Sequence, residues 1–257
     1  MDDHDRGLAF DLAILGRRRM LTLLGGAGLS VLAGCSTPTA TQPTTGTTSP
    51  QQCAEKIPEE TAGPYPGDGA NGPNALTESG IVRTDIRSSF GSSTTTAAGV
   101  PLTIELTVTK DCAPLSQAAV YLWQCDIDGR YSMYSPGVTE ENYLRGVQET
   151  DGSGKVRFTS VFPGAYAGRW PHIHFEVYPS LAEATKAGEP TVTSQLALPE
   201  DVCETVYATD GYAQSVRNLQ RSSLESDMVF RDGHDTQLAA TSGDVGSGFT
   251  ATLTIAI

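Results

Sequence analysis

The residues with the clearest chemical potential are two histidines separated by a single residue. His172 and His174 lie in HIHFEVY, a segment that alternates in a way typical of a β-strand. Side chains at positions i and i+2 of a strand point to the same face, so both imidazoles share one side of the sheet. This geometry suits two metal ligands, although paired imidazoles also pack and hydrogen-bond without a metal.

Two tyrosines lie where they could complete such a site. Tyr131 follows Gly129-Arg130, and Tyr166 follows Pro163-Gly164-Ala165, so each comes after a glycine-containing turn. Turns at strand ends are where a rigid sandwich presents functional side chains. A tyrosine is protonated near neutral pH, but a highly charged cation can bind its phenolate. Two phenolates with two imidazoles favour Fe(III) over zinc, whose protein ligands are usually Cys, His, Asp or Glu.

The elements that must position these side chains are short strands. Alternating or β-branched runs predict strands at 101–109, 118–125, 155–160, 172–178, 192–198 and 249–257. Pro199 predicts a helix start, and the sequence that follows it is partly helical in pattern. We therefore expect an all-β fold: a single β-sandwich, immunoglobulin-like or prealbumin-like, with an irregular N-terminal segment and a short C-terminal helical insertion.

The first 52 residues predict an export signal followed by a disordered tether. Arginines at 17–19 precede an apolar run too short to span a bilayer, and the pattern resembles a twin-arginine export signal. Leu-Ala-Gly-Cys at 32–35 resembles a lipobox, so Cys35 is expected to carry lipid. We assign 1–34 to the signal, 35–52 to a disordered Thr- and Pro-rich tether, and 53–257 to the folded domain. The expected location is the cell surface or the extracellular space, with the lipid as the only membrane contact.

Four cysteines remain once Cys35 is assigned to lipid. In an exported domain an even number predicts two disulfides, and four cysteines allow three pairings. We expect Cys53 to pair with Cys112 and Cys125 to pair with Cys203. Unpaired buried thiols are the alternative.

The chain is acidic, with 17 Lys and Arg residues against 30 Asp and Glu residues and a formal net charge of −13. This charge argues against a nucleic-acid-binding surface. It also argues against docking on anionic lipid through basic patches.

Several motifs follow one another in the order found in one enzyme family. They are TAGPY at 61–65, WQCDIDGRY at 123–131, LRG and TD at 144–146 and 150–151, FPGAY at 162–166, and RWPHIHF at 169–175. They are similar to the T-x-G-P-Y, W-Q-x-D-x-x-G-x-Y, R-G…T-D, P-G-x-Y and R-P-x-H-I-H-F segments of the intradiol ring-cleavage dioxygenases, with the last proline shifted by one place. The tail after residue 199 resembles exported actinobacterial relatives.

The resemblance implies a non-haem Fe(III) centre whose ligands are Tyr131, Tyr166, His172 and His174. Its small-molecule partners would be a catechol-type diol and O₂. In the family the tyrosine matching Tyr166 leaves the metal as substrate binds and helps to take a proton. The ring is then cleaved between its two hydroxylated carbons, which gives a muconate-type diacid.

The resemblance also suggests residues around the metal. Arg169 corresponds to an active-site arginine whose charge would stabilise carbanion character on the ring, with a surface salt bridge as the alternative. Gln195 lies in a T-x-Q-L-like segment and is expected near the metal. Tyr65, Trp170 and Tyr134 are candidates for the substrate pocket, although each is also typical of packing.

Two questions stay open at the level of sequence. No helical N-terminal dimerisation segment is evident, so a monomer and a homodimer both remain possible. No basic cluster is evident for a substrate carboxylate, so plain catechol, hydroxyquinol, protocatechuate and larger catechols are all candidates. The competing functions are a non-catalytic β-sandwich binding module and a site filled by Zn(II) or Cu(II).

Overall fold

The structure is a computed structural model that describes residues 53–257. The export signal, the lipid on Cys35 and the tether at 35–52 are predictions that lie outside the described residues. Among the described residues, no helix has both the length and the apolar character needed to cross a membrane.

Within residues 53–257, nine strands form two sheets. The first contains β1 (Pro101–Lys110), β2 (Ala113–Pro114), β5 (Lys155–Val161), β8 (Ala240–Asp244) and β9 (Gly248–Ala256). In this sheet β1 pairs antiparallel with β2 and β5, and parallel with β9. The second contains β3 (Ala119–Trp123), β4 (Arg145–Glu149), β6 (His172–Tyr178) and β7 (Val192–Ala197), all antiparallel in the order β4-β3-β6-β7. The expected all-β sandwich is confirmed.

The two faces of the second sheet have different roles. Ile173, Phe175 and Val177 of β6 pack into the core between the sheets, in one cluster with alternate residues of β1 and β3. The other residues of β6, beginning with His172 and His174, point to the opposite face of the sheet. That face is covered by the irregular segment before β1, through Leu76 and its neighbours. Every residue of β6 is therefore buried.

The sequence anticipated most of these elements. All six predicted strands are present, with small changes at their ends. The predicted helical tail forms α2 (Glu200–Tyr207), which Pro199 caps, and α3 (Ala213–Leu219). The short elements β2, β4, β8 and α1 (Leu181–Ala184) were not predicted, because they have too few residues to show a period.

One of the two predicted disulfides is present. Cys53 is bonded to Cys112, across a Cα–Cα distance of 5.1 Å. The predicted Cys125–Cys203 pairing is wrong, because both thiols are free and buried. Cys125 packs in the cluster on the outer face of the second sheet, whereas Cys203 of α2 packs in the core between the sheets. The Cys125 thiol instead donates to the carbonyl of Gly164 at 3.3 Å.

Candidate metal centre

The two histidines and two tyrosines converge on the outer face of the second sheet. His172 Nε2 lies 3.1 Å from His174 Nε2, 3.1 Å from Tyr166 Oη and 3.5 Å from Tyr131 Oη. Donor atoms bound to one cation at about 2.1 Å lie roughly 3–3.5 Å from one another. The four side chains therefore have the spacing and the donor chemistry of a set of metal ligands.

The histidines are positioned by the pairing of β6 with its neighbours. His174 lies opposite Trp123 of β3 on one side and opposite Gln195 of β7 on the other. The Trp123 and His174 rings stack with centroids 4.8 Å apart and planes 8° apart. Since strand register decides which side chains meet across a sheet, this register orients the His174 ring.

The tyrosines are brought together by two close-packed turns. Gly129 has a φ of +80°, and a Cβ atom there would lie 3.0 Å from Tyr166 Cβ. A Cβ atom on Gly164 would lie 2.4 Å from the carbonyl oxygen of Ile127. Only glycine allows backbones to approach this closely. The two glycines thus let the turn before Tyr131 lie against the turn before Tyr166.

A buried carboxylate fixes the first of these turns. Asp126 Oδ1 accepts hydrogen bonds from the backbone N–H groups of Asp128 and Arg130, each at 2.9 Å. Its Oδ2 accepts from the hydroxyl of Tyr143 at 2.9 Å. These bonds hold the backbone that leads into Tyr131, which explains why the motif contains an aspartate before its glycine.

Both imidazoles are held in the form that binds cations. His172 Nδ1 lies 2.6 Å from the carbonyl oxygen of Trp170, so this nitrogen donates and Nε2 carries the lone pair. Burial, with the nearby Arg169 cation, lowers the pKa of His172 to about 3. Burial and then His172 lower the pKa of His174 well below its usual range. Neutral imidazole is the form that ligates metals.

The two tyrosines differ in exposure. Tyr131 is buried, and burial followed by the proximity of Tyr166 raises the pKa of its phenol well above 10. Without a cation that phenol stays protonated; a bound cation would supply the charge that a phenolate needs. Tyr166 is only half-buried. It is therefore the tyrosine that solvent and a substrate can reach.

A buried ionic cluster lies behind His172. Arg169 Nη1 is 3.5 Å from His172 Nε2, while Arg169 Nη2 donates to Gln195 Oε1 at 2.7 Å. Arg169 Nε donates to Asp227 Oδ2 at 2.9 Å. The structure thus brings together Arg169 and Gln195, as predicted, and adds Asp227. No motif marked Asp227, since it lies 58 residues after Arg169.

Comparisons with known proteins agree with this geometry. Residues 71–172 match a family described as Dioxygenase. An intradiol ring-cleavage dioxygenase from Tetranychus urticae has a similar structure, with 27% identity, a TM-score of 0.61, and coverage of 79% of this chain and 95% of that one. The chain is thus similar to intradiol ring-cleavage dioxygenases in both sequence and structure. This similarity indicates a ring-cleaving oxidoreductase.

Other comparisons bear on the fold. A second solved dioxygenase is 25% identical, with a TM-score of 0.63 and coverage of 80% of this chain and 95% of that one. The dioxygenase domain of a carbohydrate-binding fusion protein from Streptomyces sp. SirexAA-E has 24% identity and a TM-score of 0.51, covering 79% of this chain and 98% of that one. The last supports the fold alone. No curated protein sequence gives a significant match.

The predicted pocket residues lie at different depths. The Tyr65 ring is 5.0 Å from the Tyr131 ring, beside the four converging donor side chains. Tyr134 is one layer further out, with its ring 5.3 Å from that of Tyr65. The expectation for Trp170 is corrected, because its indole is buried in the core between the sheets and donates to the carbonyl of Leu198 at 2.8 Å.

An acidic cavity of about 1270 Å³ is lined by Gly63 and Pro66, which flank the Pro64-Tyr65 pair, but not by Tyr65 itself. Its lining has six acidic residues and no lysine or arginine. The acidic residues are Glu59, Glu60, Asp68, Glu176, Glu189 and Asp232.

Proposed function

We propose that this protein is an Fe(III)-dependent dioxygenase that uses O₂ to open the ring of a catechol-type diol between its hydroxylated carbons. The product would be a muconate-type diacid. The observation that carries the proposal is the convergence of Tyr131, Tyr166 and His174 on His172 Nε2 within 3.1–3.5 Å. Two phenols and two neutral imidazoles match a ferric donor set.

Several residues would have separate roles around these four donor side chains. Bound Fe(III) would act as a Lewis acid that activates the diol. Tyr166, half-buried and close to His172, is placed to accept a proton from a substrate hydroxyl. Arg169 presents a preorganised charge near the ring, held there by Gln195. Tyr65 forms one wall of the substrate site, because its ring lies against that of Tyr131.

The competing functions have less support. A non-catalytic binding module needs none of the four donor side chains, yet all four are present and adjacent. Between residues 53 and 257, no group of three or more His, Cys, Asp or Glu side chains is arranged to hold a metal. The ligand set usual for zinc is therefore missing from that part of the chain. We further propose that the protein is exported and held at the cell surface by lipid on Cys35.

The proposal is tested by absorption spectroscopy of the purified, iron-loaded protein. A ferric-phenolate centre should give a broad visible band that moves to longer wavelength when catechol is added without O₂. Admitting O₂ labelled with the heavy isotope should then give a diacid that contains two labelled oxygen atoms. A protein that stays colourless after loading with Fe(III) would overturn the proposal, and retention of colour with an intact ring would refute the reaction.

A further inference from the structure

Arg145, the first residue of β4, is a fully buried guanidinium. Its Nε and Nη2 atoms donate to Ser132 Oγ at 3.1 Å and to the Ser132 carbonyl at 2.9 Å. Its Nη1 atom donates to the carbonyl of Pro66 at 2.9 Å and to Tyr121 Oη at 3.1 Å. Among the residues the structure describes, no carboxylate lies within ion-pair distance of it. Arg169, in contrast, is paired with Asp227.

These hydrogen bonds join two segments that are far apart in the sequence. Pro66 directly follows Tyr65, and Ser132 directly follows Tyr131. The rings of Tyr65 and Tyr131 lie 5.0 Å apart. One planar guanidinium therefore holds the backbone next to the pocket wall and the backbone next to a proposed metal ligand. A planar fork of donors fixes direction as well as distance, which a lysine ammonium does not.

The surrounding residues are built around this guanidinium. A Cβ atom on Gly67 would lie 2.8 Å from Arg145 Nη1, so the backbone after Pro66 passes directly over the charge. The Tyr134 ring lies 5.4 Å from the guanidinium carbon. Tyr134 Oη also accepts a hydrogen bond from the Gly67 N–H at 2.8 Å. Tyr134, expected from the sequence to line the pocket, thus closes the outer side of this arrangement.

We propose that Arg145 is a positioning residue that sets the distance between Tyr65 and Tyr131, and so the width of the substrate site. The predicted effect of Arg145 on catechol affinity rests on the proposed function, whereas its positioning of Tyr65 does not. Removing the fork leaves the Ser132 carbonyl without this donor and the Pro66 carbonyl with the Tyr121 hydroxyl alone. The segment that carries Tyr65 is then free to move away from Tyr131.

The decisive variant is Arg145→Lys, which keeps the charge and loses the fork. Hydrogen exchange of the metal-free protein should quicken about tenfold in peptides covering 63–71, the loss expected for one charge-assisted hydrogen bond. Exchange in peptides covering 155–161 of β5 should stay unchanged. The affinity of the iron-loaded variant for catechol without O₂ should fall about tenfold, with iron content retained.

Arg157→Lys is the matched control, because Arg157 is an exposed arginine of β5 paired with Glu105. It should match the wild type in both measurements. If Arg145→Lys does not fold, Tyr121→Phe replaces it, since this change removes a hydroxyl that accepts from Arg145 and donates to the Pro66 carbonyl. Unchanged exchange at 63–71, or equal quickening throughout the protein, would overturn the positioning role. A wild type that binds no catechol would refute the proposed function and leave the exchange result to decide on Arg145.

Discussion

Asp227 forms an ion pair with Arg169 at 2.9 Å, and their side chains are only 0% and 1% exposed. The same carboxylate accepts the backbone N–H of Trp170 at 2.7 Å. The guanidinium is thus held on one side by Asp227 and on the other by Gln195. The ion pair and the hydrogen bond to Gln195 thus fix the direction in which the Arg169 guanidinium faces His172.

Asp227→Asn should destabilise the protein strongly, because it leaves Arg169 buried without its counter-ion. Breaking a buried ion pair from one side costs about 3–5 kcal/mol. Urea unfolding of the metal-free protein measures this loss. Asp235→Asn, an exposed change in the same segment, should stay within about 0.5 kcal/mol of the wild type. A loss below about 1 kcal/mol for Asp227→Asn would show that the stability of the protein does not depend on its ion pair with Arg169.

Tyr166→Phe should separate turnover from metal binding. The change removes the hydroxyl 3.1 Å from His172 Nε2 but leaves Tyr131 and both imidazoles. Loss of a positioned proton acceptor lowers kcat by about 10²–10⁴. Iron content and a weakened visible band should remain. Tyr131→Phe is the comparison, because it removes the buried phenol and should lower the iron content together with the band. A fully active Tyr166→Phe variant would rule out its role as proton acceptor.

Local patterns in the sequence predicted the four donor side chains that converge in the structure, but not the residues that hold them in place. The spacing of His172 and His174 places both on one strand face whatever the rest of the fold does, and the turn glycines mark Tyr131 and Tyr166. Asp227 could not be found in this way, because its partner is brought to it only by folding of the tail. The same reason explains the errors for Cys125 and Trp170. Residue type predicts that such side chains are buried, but it does not predict on which side of the sheet they lie.

Glu60 should make stability depend on pH. Burial, followed by repulsion from Asp232, raises the pKa of Glu60 from 4.5 to about 7. Between these values the folded state binds a proton that the unfolded state has lost, so the contribution of Glu60 to stability falls as the pH rises from 4.5 to about 7. The buried His172, with its lowered pKa, contributes with the opposite sign, so the effect of Glu60 is measured as the difference in Tm between variant and wild type. The Tm of Glu60→Gln should rise relative to that of the wild type across this window. Glu55→Gln, at an exposed position, should keep a constant difference from the wild type. A constant difference for Glu60→Gln as well would contradict the assignment.

The acidic cavity should discriminate between catechols by charge. The ionised acidic side chains of this cavity, next to the segment that carries Tyr65, should oppose a substrate that carries its own carboxylate. We expect kcat/KM for 3,4-dihydroxybenzoate to be about tenfold below that for 4-methylcatechol at low salt, and the gap to narrow as salt screens the charges. The double variant Glu189→Gln, Asp232→Asn, at two exposed lining positions, should narrow the gap similarly. Preference for the carboxylated substrate would contradict this expectation.

Two glycines with nearly the same backbone conformation test how closely the tyrosine turns must approach. Gly129 and Gly137 have φ values of +80° and +84°, so alanine costs similar backbone strain at either position. At Gly129 a Cβ atom would also lie 3.0 Å from Tyr166 Cβ, whereas at Gly137 nothing lies within 4 Å. Gly129→Ala should therefore displace Tyr166 and weaken the visible band of the iron-loaded protein. Gly137→Ala should lose about 1–2 kcal/mol of stability and keep the band. If both variants keep the visible band, the close contact between the two turns is not what positions Tyr166.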